Sequence, residues 1–100
     1  MIAVIFEVQS NEAGKDEYFS IAAELKSHLL NIQGFISIER FQSINDPNKF
    51  LSLSFWENEA AVKQWRSHVL HRKAQDKGKN DLFFSYRIRV AQVSRDYGDM

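Results

Sequence analysis

The sequence has no cysteine and no excess of charge of either sign. Without cysteine the chain cannot form a disulfide scaffold, a zinc-thiolate site or a thiol nucleophile. Lysine plus arginine equals aspartate plus glutamate at 13 each, so the basic footprint typical of nucleic-acid-binding and membrane-surface proteins is missing. We therefore expect neither a nucleic-acid partner nor a membrane partner.

Long apolar runs are also missing. No run reaches the ~18 residues that a membrane-spanning helix needs. The opening MIAVIFEV has neither the basic region nor the small-residue cleavage site of a signal peptide, and we expect a cytoplasmic protein. A length of 100 residues predicts a single domain over residues 1–100, with its core at about residues 2 to 97.

Four segments have the apolar pattern of β-strands. The first, MIAVIFEVQ, is apolar on both faces up to Glu7, and the last, LFFSYRIRVAQVSR, alternates apolar residues with arginines. FISIERFQS and FLSLSFW are joined by the turn INDPNK and therefore predict a hairpin. Strict alternation within FISIERFQS places Phe35 on the same face as Ser37, Glu39 and Phe41.

Two further segments have helical spacing. The first is expected to begin at a cap formed by Ser10 or Asn11 and to end at Gly34. Its apolar positions are Tyr18, Ile21, Ala22, Leu25, Leu29 and Ile32. The second is expected to begin at Asn58, to run through EAAVKQW and HVLHRKAQDKG, and to end at Gly78.

The order β-α-β-β-α-β predicts an α+β, ferredoxin-like domain. Its helices would cover one face of a four-stranded sheet, whereas three of the strands are apolar on both faces. A chain of 100 residues cannot cover the second face by itself. We therefore expect a closed two-fold homodimer in which two sheets pack face to face.

The segments GFISIERFQS, LSLSFWENEAAVKQW, HRKAQ and VSRDYG carry a family likeness. With them the chain resembles the antibiotic biosynthesis monooxygenase family of the dimeric α/β barrel superfamily, over about residues 2 to 97. The resemblance implies a dimeric α/β barrel with a pocket between the helices and the sheet of each subunit. Members of this family include cofactor-free oxygenases of polycyclic phenols, quinol monooxygenases and haem-degrading oxygenases.

Two branches of that family have defined polar residues, and this chain departs from both. Haem-degrading members have an Asn on the first strand, a Trp on the second helix and a His about ten residues later. Trp65 matches that Trp, but Gln75 stands at the His, and Glu7 or Phe6 stands at the Asn. Polyketide-oxidising members have an Asn four residues before a Trp; here Trp56 matches the Trp, and Ser52 stands at the Asn.

The candidate catalytic residues are His68 and His71, which lie one helical turn apart. Either imidazole could act as a general base, with an ordinary pKa of about 6.5, or both could belong to a polar helix surface. No carboxylate at suitable spacing completes a set of metal ligands, so we expect no metal site.

The candidate substrate-binding residues are Trp65, Phe6, Phe55 and Glu7. The three rings would wall an apolar pocket for a flat ligand, although large rings also serve as ordinary core. Glu7 either is buried with a partner among Arg40, Arg87 and Arg89 or lies where the strand meets water.

These features, together with the resemblance, predict a monooxygenase that oxidises an aromatic or quinol-like small molecule without a cofactor. Two alternatives stay open. One is a haem-binding or haem-degrading protein whose axial histidine has shifted to His68 or His71. The other is a non-catalytic dimeric module that binds a small apolar or aromatic ligand.

Overall fold

A computed structural model of the protein describes residues 1–12, 14–68 and 84–100. The secondary-structure elements are β1 (Ile2–Ser10), α1 (Lys15–Leu29), β2 (Phe35–Gln42), β3 (Lys49–Trp56), α2 (described over residues 59–68) and β4 (Phe84–Gln92). The order β-α-β-β-α-β confirms the predicted α+β, ferredoxin-like fold. Within the described ranges, no helix is long and apolar enough to cross a membrane.

The four strands form one sheet in the order β2-β3-β1-β4, with every neighbouring pair antiparallel. β1 and β3 are the two central strands, and their register sets Val4 opposite Ser54 and Phe6 opposite Ser52. A large side chain on β1 therefore faces a small one on β3. This pairing leaves room on that side of the sheet for the rings that the helices supply.

The sheet has one covered face and one open face. Burial alternates along β1 and β3, because successive side chains of a strand point to opposite faces. The covered face packs against the helices and carries Ile2, Val4, Phe6, Val8, Phe50, Ser52, Ser54 and Trp56. The open face carries Ala3, Ile5, Leu51, Leu53 and Phe55, all only partly buried by the described residues. The homodimer stays a prediction that would cover this second face.

The alternation predicted for β2 is wrong at Phe35. The register shifts by one residue between Phe35 and Ser37, so that Ile36 is the extra residue of a bulge. Phe35 therefore joins Ile38 and Arg40 on the covered face, and its ring meets that of Trp56 edge-on at a centroid distance of 5.2 Å.

The cap predicted for α1 is corrected, whereas the cap predicted for α2 is confirmed. Asn11 Oδ1 accepts a hydrogen bond from the Gly14 N–H at 2.6 Å, within the turn before the helix. The N-cap of α1 is Gly14, and the helix begins at Lys15. Asn58 Oδ1 accepts a hydrogen bond from the Ala61 N–H at 3.0 Å, which satisfies one free donor of the first turn of α2.

The predicted end of α1 at Gly34 is wrong, because the helix ends at Leu29. Gly34 is instead the last residue before β2, and it meets the start of α2. Its φ of 98° lies in the left-handed region, and its carbonyl accepts a hydrogen bond from the Glu57 N–H at 2.7 Å. A Cβ at this position would lie 3.1 Å from Ala61 Cβ. The close approach and the positive φ both require glycine.

We expect Gly34→Ala to lower the free energy of unfolding by about 1–2 kcal/mol or more, because an L-residue is strained at positive φ and the new methyl group crowds Ala61. Gly98→Ala is the matched control, since nothing lies within 4 Å of a Cβ there. Urea unfolding of both variants measures the effect. Equal stability of the two variants would contradict this account of the turn.

Candidate functional site

A cavity of about 80 Å³ lies between the covered face of the sheet and the helices. Every element except β4 contributes to its lining. The lining residues are Phe6, Tyr18, Ala22, Leu25, Lys26, Leu29, Ile38, Glu39, Arg40, Ser52 and Trp65. The lining is apolar over most of its extent, and its charged groups come from one turn of α1 and from the edge strand β2.

The inner end of the cavity is built from aromatic rings. The Phe6 and Trp65 rings meet edge-on at a centroid distance of 5.7 Å, and both side chains are buried. On its other side Phe6 stacks on Tyr86 at 5.5 Å. Ser52 lies opposite Phe6 in the sheet, and its small side chain leaves the space beside the rings open. This end of the cavity suits a flat apolar group.

The outer end of the cavity has a polar pair, Tyr18 and Arg40. Tyr18 is only 3% exposed, and the Arg40 guanidinium hydrogen-bonds its hydroxyl and lies 5.8 Å from the centre of its ring. Burial raises the pKa of Tyr18 above its usual value, and the nearby Arg40 charge partly opposes that rise. The hydroxyl is therefore held as a neutral hydrogen-bond donor beside a cation.

Local sequence spacing explains how these side chains meet. Tyr18, Ala22, Leu25 and Leu29 follow one another at intervals of four, three and four residues, and so share one face of α1. Lys26 follows Ala22 by four residues and lies at the margin of the same face. On β2, Ile38 and Arg40 are two residues apart and point to the covered face.

The structure brings together two of the predicted substrate-binding residues, Phe6 and Trp65. Phe55 is a correction: it pairs with Ala3 and Ser37 on the open face, and so cannot wall the same cavity. Glu7 is also a correction, because its side chain points to the open face. There it forms an ion pair with Arg89 at 3.3 Å, and both side chains remain partly exposed.

His68 lies at the contact between the two helices. Its ring stacks on that of His28 of α1, with centroids 4.9 Å apart and planes inclined by 11°. Neither imidazole is among the side chains that line the cavity. His71 falls outside the described residues, and so its predicted role stays a prediction. In the ranges that are described, no cluster of three metal-ligating side chains occurs.

Sequence reasoning missed the pairing of Tyr18 with Arg40 and of His28 with His68. Tyr18 was expected only as a core position, and Arg40 only as a partner of Glu7. A signal was present, because a phenol occupies one position of an otherwise apolar helix face, and an arginine lies two residues after a core isoleucine. The pairings themselves join residues far apart in the chain and required the fold.

Comparison with known proteins gives a consistent picture. The sequence profile of the family described as "Antibiotic biosynthesis monooxygenase" matches residues 1–77. The chain is 42% identical over 94 residues to a protein of Pyricularia oryzae named "Jasmonate monooxygenase ABM", covering 94% of this chain. It spans only 44% of the length of that relative.

Two further relatives extend the comparison. YqjZ of Bacillus subtilis, an uncharacterised protein, is 30% identical over 93 residues, which make up 93% of this chain and 79% of that protein. The solved structure of a mutant of SnoaB, a cofactor-independent oxygenase from Streptomyces nogalater, superposes with a TM-score of 0.77 at 11% identity. The superposition covers 98% of this chain and 97% of that one, and at such low identity it shows the shared fold alone.

The Tyr18–Arg40 contact predicts a linked titration. Arg40→Gln should raise the pKa of Tyr18 further, because both the charge and the hydrogen bond of Arg40 favour the phenolate. In the wild type the raised pKa means that the stabilising contribution of Tyr18 is complete below pH ~10 and is lost as the pH rises through its folded-state pKa.

Tyrosinate absorbance measured against pH tests this prediction, with Tyr18→Phe assigning the Tyr18 component by difference. Lys63→Gln is the control, since Lys63 is exposed on α2 and its removal changes the net charge equally. A Tyr18 pKa that is unchanged or lowered in Arg40→Gln would contradict the contact.

Proposed function

The chain belongs to the antibiotic biosynthesis monooxygenase family, and from this premise we propose that it oxidises an aromatic or quinol-like small molecule with molecular oxygen and without a cofactor. The observation that supports the proposal is the cavity itself, which has an aromatic inner end and a polar outer end. Such a site can hold a flat apolar body while it orients one ionisable group.

The proposed reaction needs no external reductant. An electron-rich ring that has lost a proton transfers an electron to oxygen, and the reacting carbon then forms a bond to that oxygen molecule. When the O–O bond breaks, one oxygen atom stays on the ring as a carbonyl, and the other leaves as water with two hydrogens of the substrate. The substrate supplies all four electrons, so that the equation balances with one oxygen molecule.

The roles in this proposal follow from the lining. Phe6 and Trp65 hold the flat ring and exclude water, which favours reaction of an anion with apolar oxygen. Tyr18 provides a neutral O–H that can donate a proton to the reduced oxygen, and Arg40 stabilises negative charge beside it. His68 stacks on His28 away from the lining, so as a base it would have to act after a rearrangement of the helices.

Substrate entry requires the site to widen. Pockets for drug-sized ligands measure about 300–1,000 Å³, whereas the cavity measures about 80 Å³. Half-buried Leu25 and exposed Lys26 are the α1 residues at the accessible side of the lining, so the proposed widening would occur between them and β2. Among the described residues, no histidine lines the cavity that could serve as an axial haem ligand.

A second candidate substrate comes from the relative in Pyricularia oryzae, whose name assigns jasmonate to that protein. We include jasmonate as a substrate to be tested with added NADH as the reductant, because it has no electron-rich ring that could supply all four electrons by the route above. A non-catalytic module that binds small apolar ligands is the remaining alternative, and it differs from both candidates in consuming no oxygen.

Oxygen uptake in the presence of anthrone, menadiol or jasmonate tests the proposal. Wild-type protein should accelerate uptake above the spontaneous rate with at least one of the three. Tyr18→Phe should lower kcat about 100-fold because it removes the proton donor, and Phe6→Ala should mainly raise KM because it removes one wall. Lys63→Gln should leave both constants unchanged. Binding without uptake by the wild type would instead indicate the non-catalytic module.

We also propose that the open face of the sheet forms the interface of a homodimer. Apolar side chains run across β1, β3 and β2 there, among them Ile5, Leu53, Phe55 and the 43% exposed Phe41. A charge at the centre of such an interface would be desolvated without a partner. Leu53→Glu should therefore convert a dimer to a monomer in sedimentation velocity, whereas Lys63→Gln should not. A wild-type monomer at all concentrations would overturn the proposal.

A further inference from the structure

We propose that Arg40, assisted by Lys26, binds a carboxylate at the mouth of the cavity, so that the preferred ligand is an apolar ring compound with one carboxyl group. The inference rests on the proposed function in taking this ligand to be the substrate. Binding itself can be measured without turnover, and so the two proposals can fail separately.

Arg40 is placed where it can meet the outer end of a ligand in the cavity. Arg40 lies on the edge strand β2, opposite Ser52 of β3 and two residues after Ile38, on the face that lines the cavity. Its side chain is exposed, whereas Ser52 behind it is buried. A ligand that reaches the rings at the inner end would therefore place its outer end beside the guanidinium.

The charges around Arg40 favour the binding of an anion. The Arg40 guanidinium contacts the ring and the hydroxyl of Tyr18. The Glu7–Arg89 ion pair lies on the opposite face of the sheet and does not involve Arg40. Glu39 also reaches the lining, but its register position opposite Leu53 directs its side chain to the open face. Lys26 and Arg40 are therefore the two cations of a lining whose one carboxylate, Glu39, belongs by register to the other face.

The geometry of the guanidinium selects the kind of anion. Arginine presents five N–H donors in a planar fork that matches the two oxygens of a carboxylate. Tyr18 contacts Arg40, and a fork with five donors has N–H groups beyond this one contact that can meet a carboxylate.

A matched pair of probes tests the inference: 4-phenylbutyrate and its neutral amide, 4-phenylbutyramide, titrated calorimetrically into the full chain. The two share a ring and a linker and differ in charge at one end. Wild-type protein should bind the acid about 10- to 100-fold more tightly than the amide, the range expected for hydrogen bonds to a charged group.

Variants assign that preference to residues. Arg40→Gln should remove most of this preference, and Arg40→Lys should retain more of it than Arg40→Gln does, because lysine keeps the charge but loses the fork. Lys26→Gln should cause a smaller loss, and Lys63→Gln, an equal change in net charge on exposed α2, should cause none. Circular dichroism and urea unfolding establish that each variant is folded.

Three results would overturn the inference: equal affinity of the wild type for acid and amide, no measurable binding of the acid, or an acid preference in folded Arg40→Gln that is as large as in the wild type. Failure of the proposed oxygenase activity has a different signature. In that case no substrate accelerates oxygen uptake, while the acid preference and its dependence on Arg40 persist.

Discussion

The packing of Trp56 is the contact on which the geometry of the site depends. Its side chain is fully buried at the end of β3, and its indole N–H donates a hydrogen bond to Ser54 Oγ at 2.9 Å. Phe35 packs against one edge of the ring, and Trp65 lies 5.9 Å from it. The bulge in β2, the Trp65 turn of α2 and the inner end of the cavity therefore all pack around one side chain. An indole with a satisfied N–H can take this place in a core without leaving an unpaired donor.

The cavity combines two tendencies that oppose each other. Its aromatic and aliphatic lining lowers the local polarity, which strengthens any electrostatic interaction inside it and disfavours any charge without a partner. Arg40 avoids the cost of an unpaired buried charge because it lies at the edge of the cavity. Its side chain remains accessible to water there, while its guanidinium reaches Tyr18. The result is an apolar chamber whose one strongly polar end lies at its opening. That arrangement orients a ligand as well as binding it.

Sequence patterns predicted the order of the elements because the periods of strands and helices differ clearly in this chain. They could not decide which face of β1 and β3 meets the helices, since both alternating sets are largely apolar. Phe55 and Glu7 were assigned to the wrong face for this reason. Whether two residues on different strands share a face depends on the register of the strands, which composition does not reveal. The bulge at Ile36 had the same effect on Phe35, because one extra residue reverses the alternation. Tyr18 and Arg40 were each visible, but only the packing of α1 over β2 joins them.

Successive residues of β3 point alternately to the cavity and to the open face of the sheet. Ser52, Ser54 and Trp56 face the cavity side, whereas Leu51, Leu53 and Phe55 face the proposed dimer interface. A sheet is only one residue thick. A second sheet packed on the open face would therefore contact the strands whose other face carries Phe6 and packs against Trp65. Association would thus restrict the motion of the inner end of the cavity. The proposed oxidation needs a reacting ring that is held still, because its rate depends on a fixed geometry of the reacting groups.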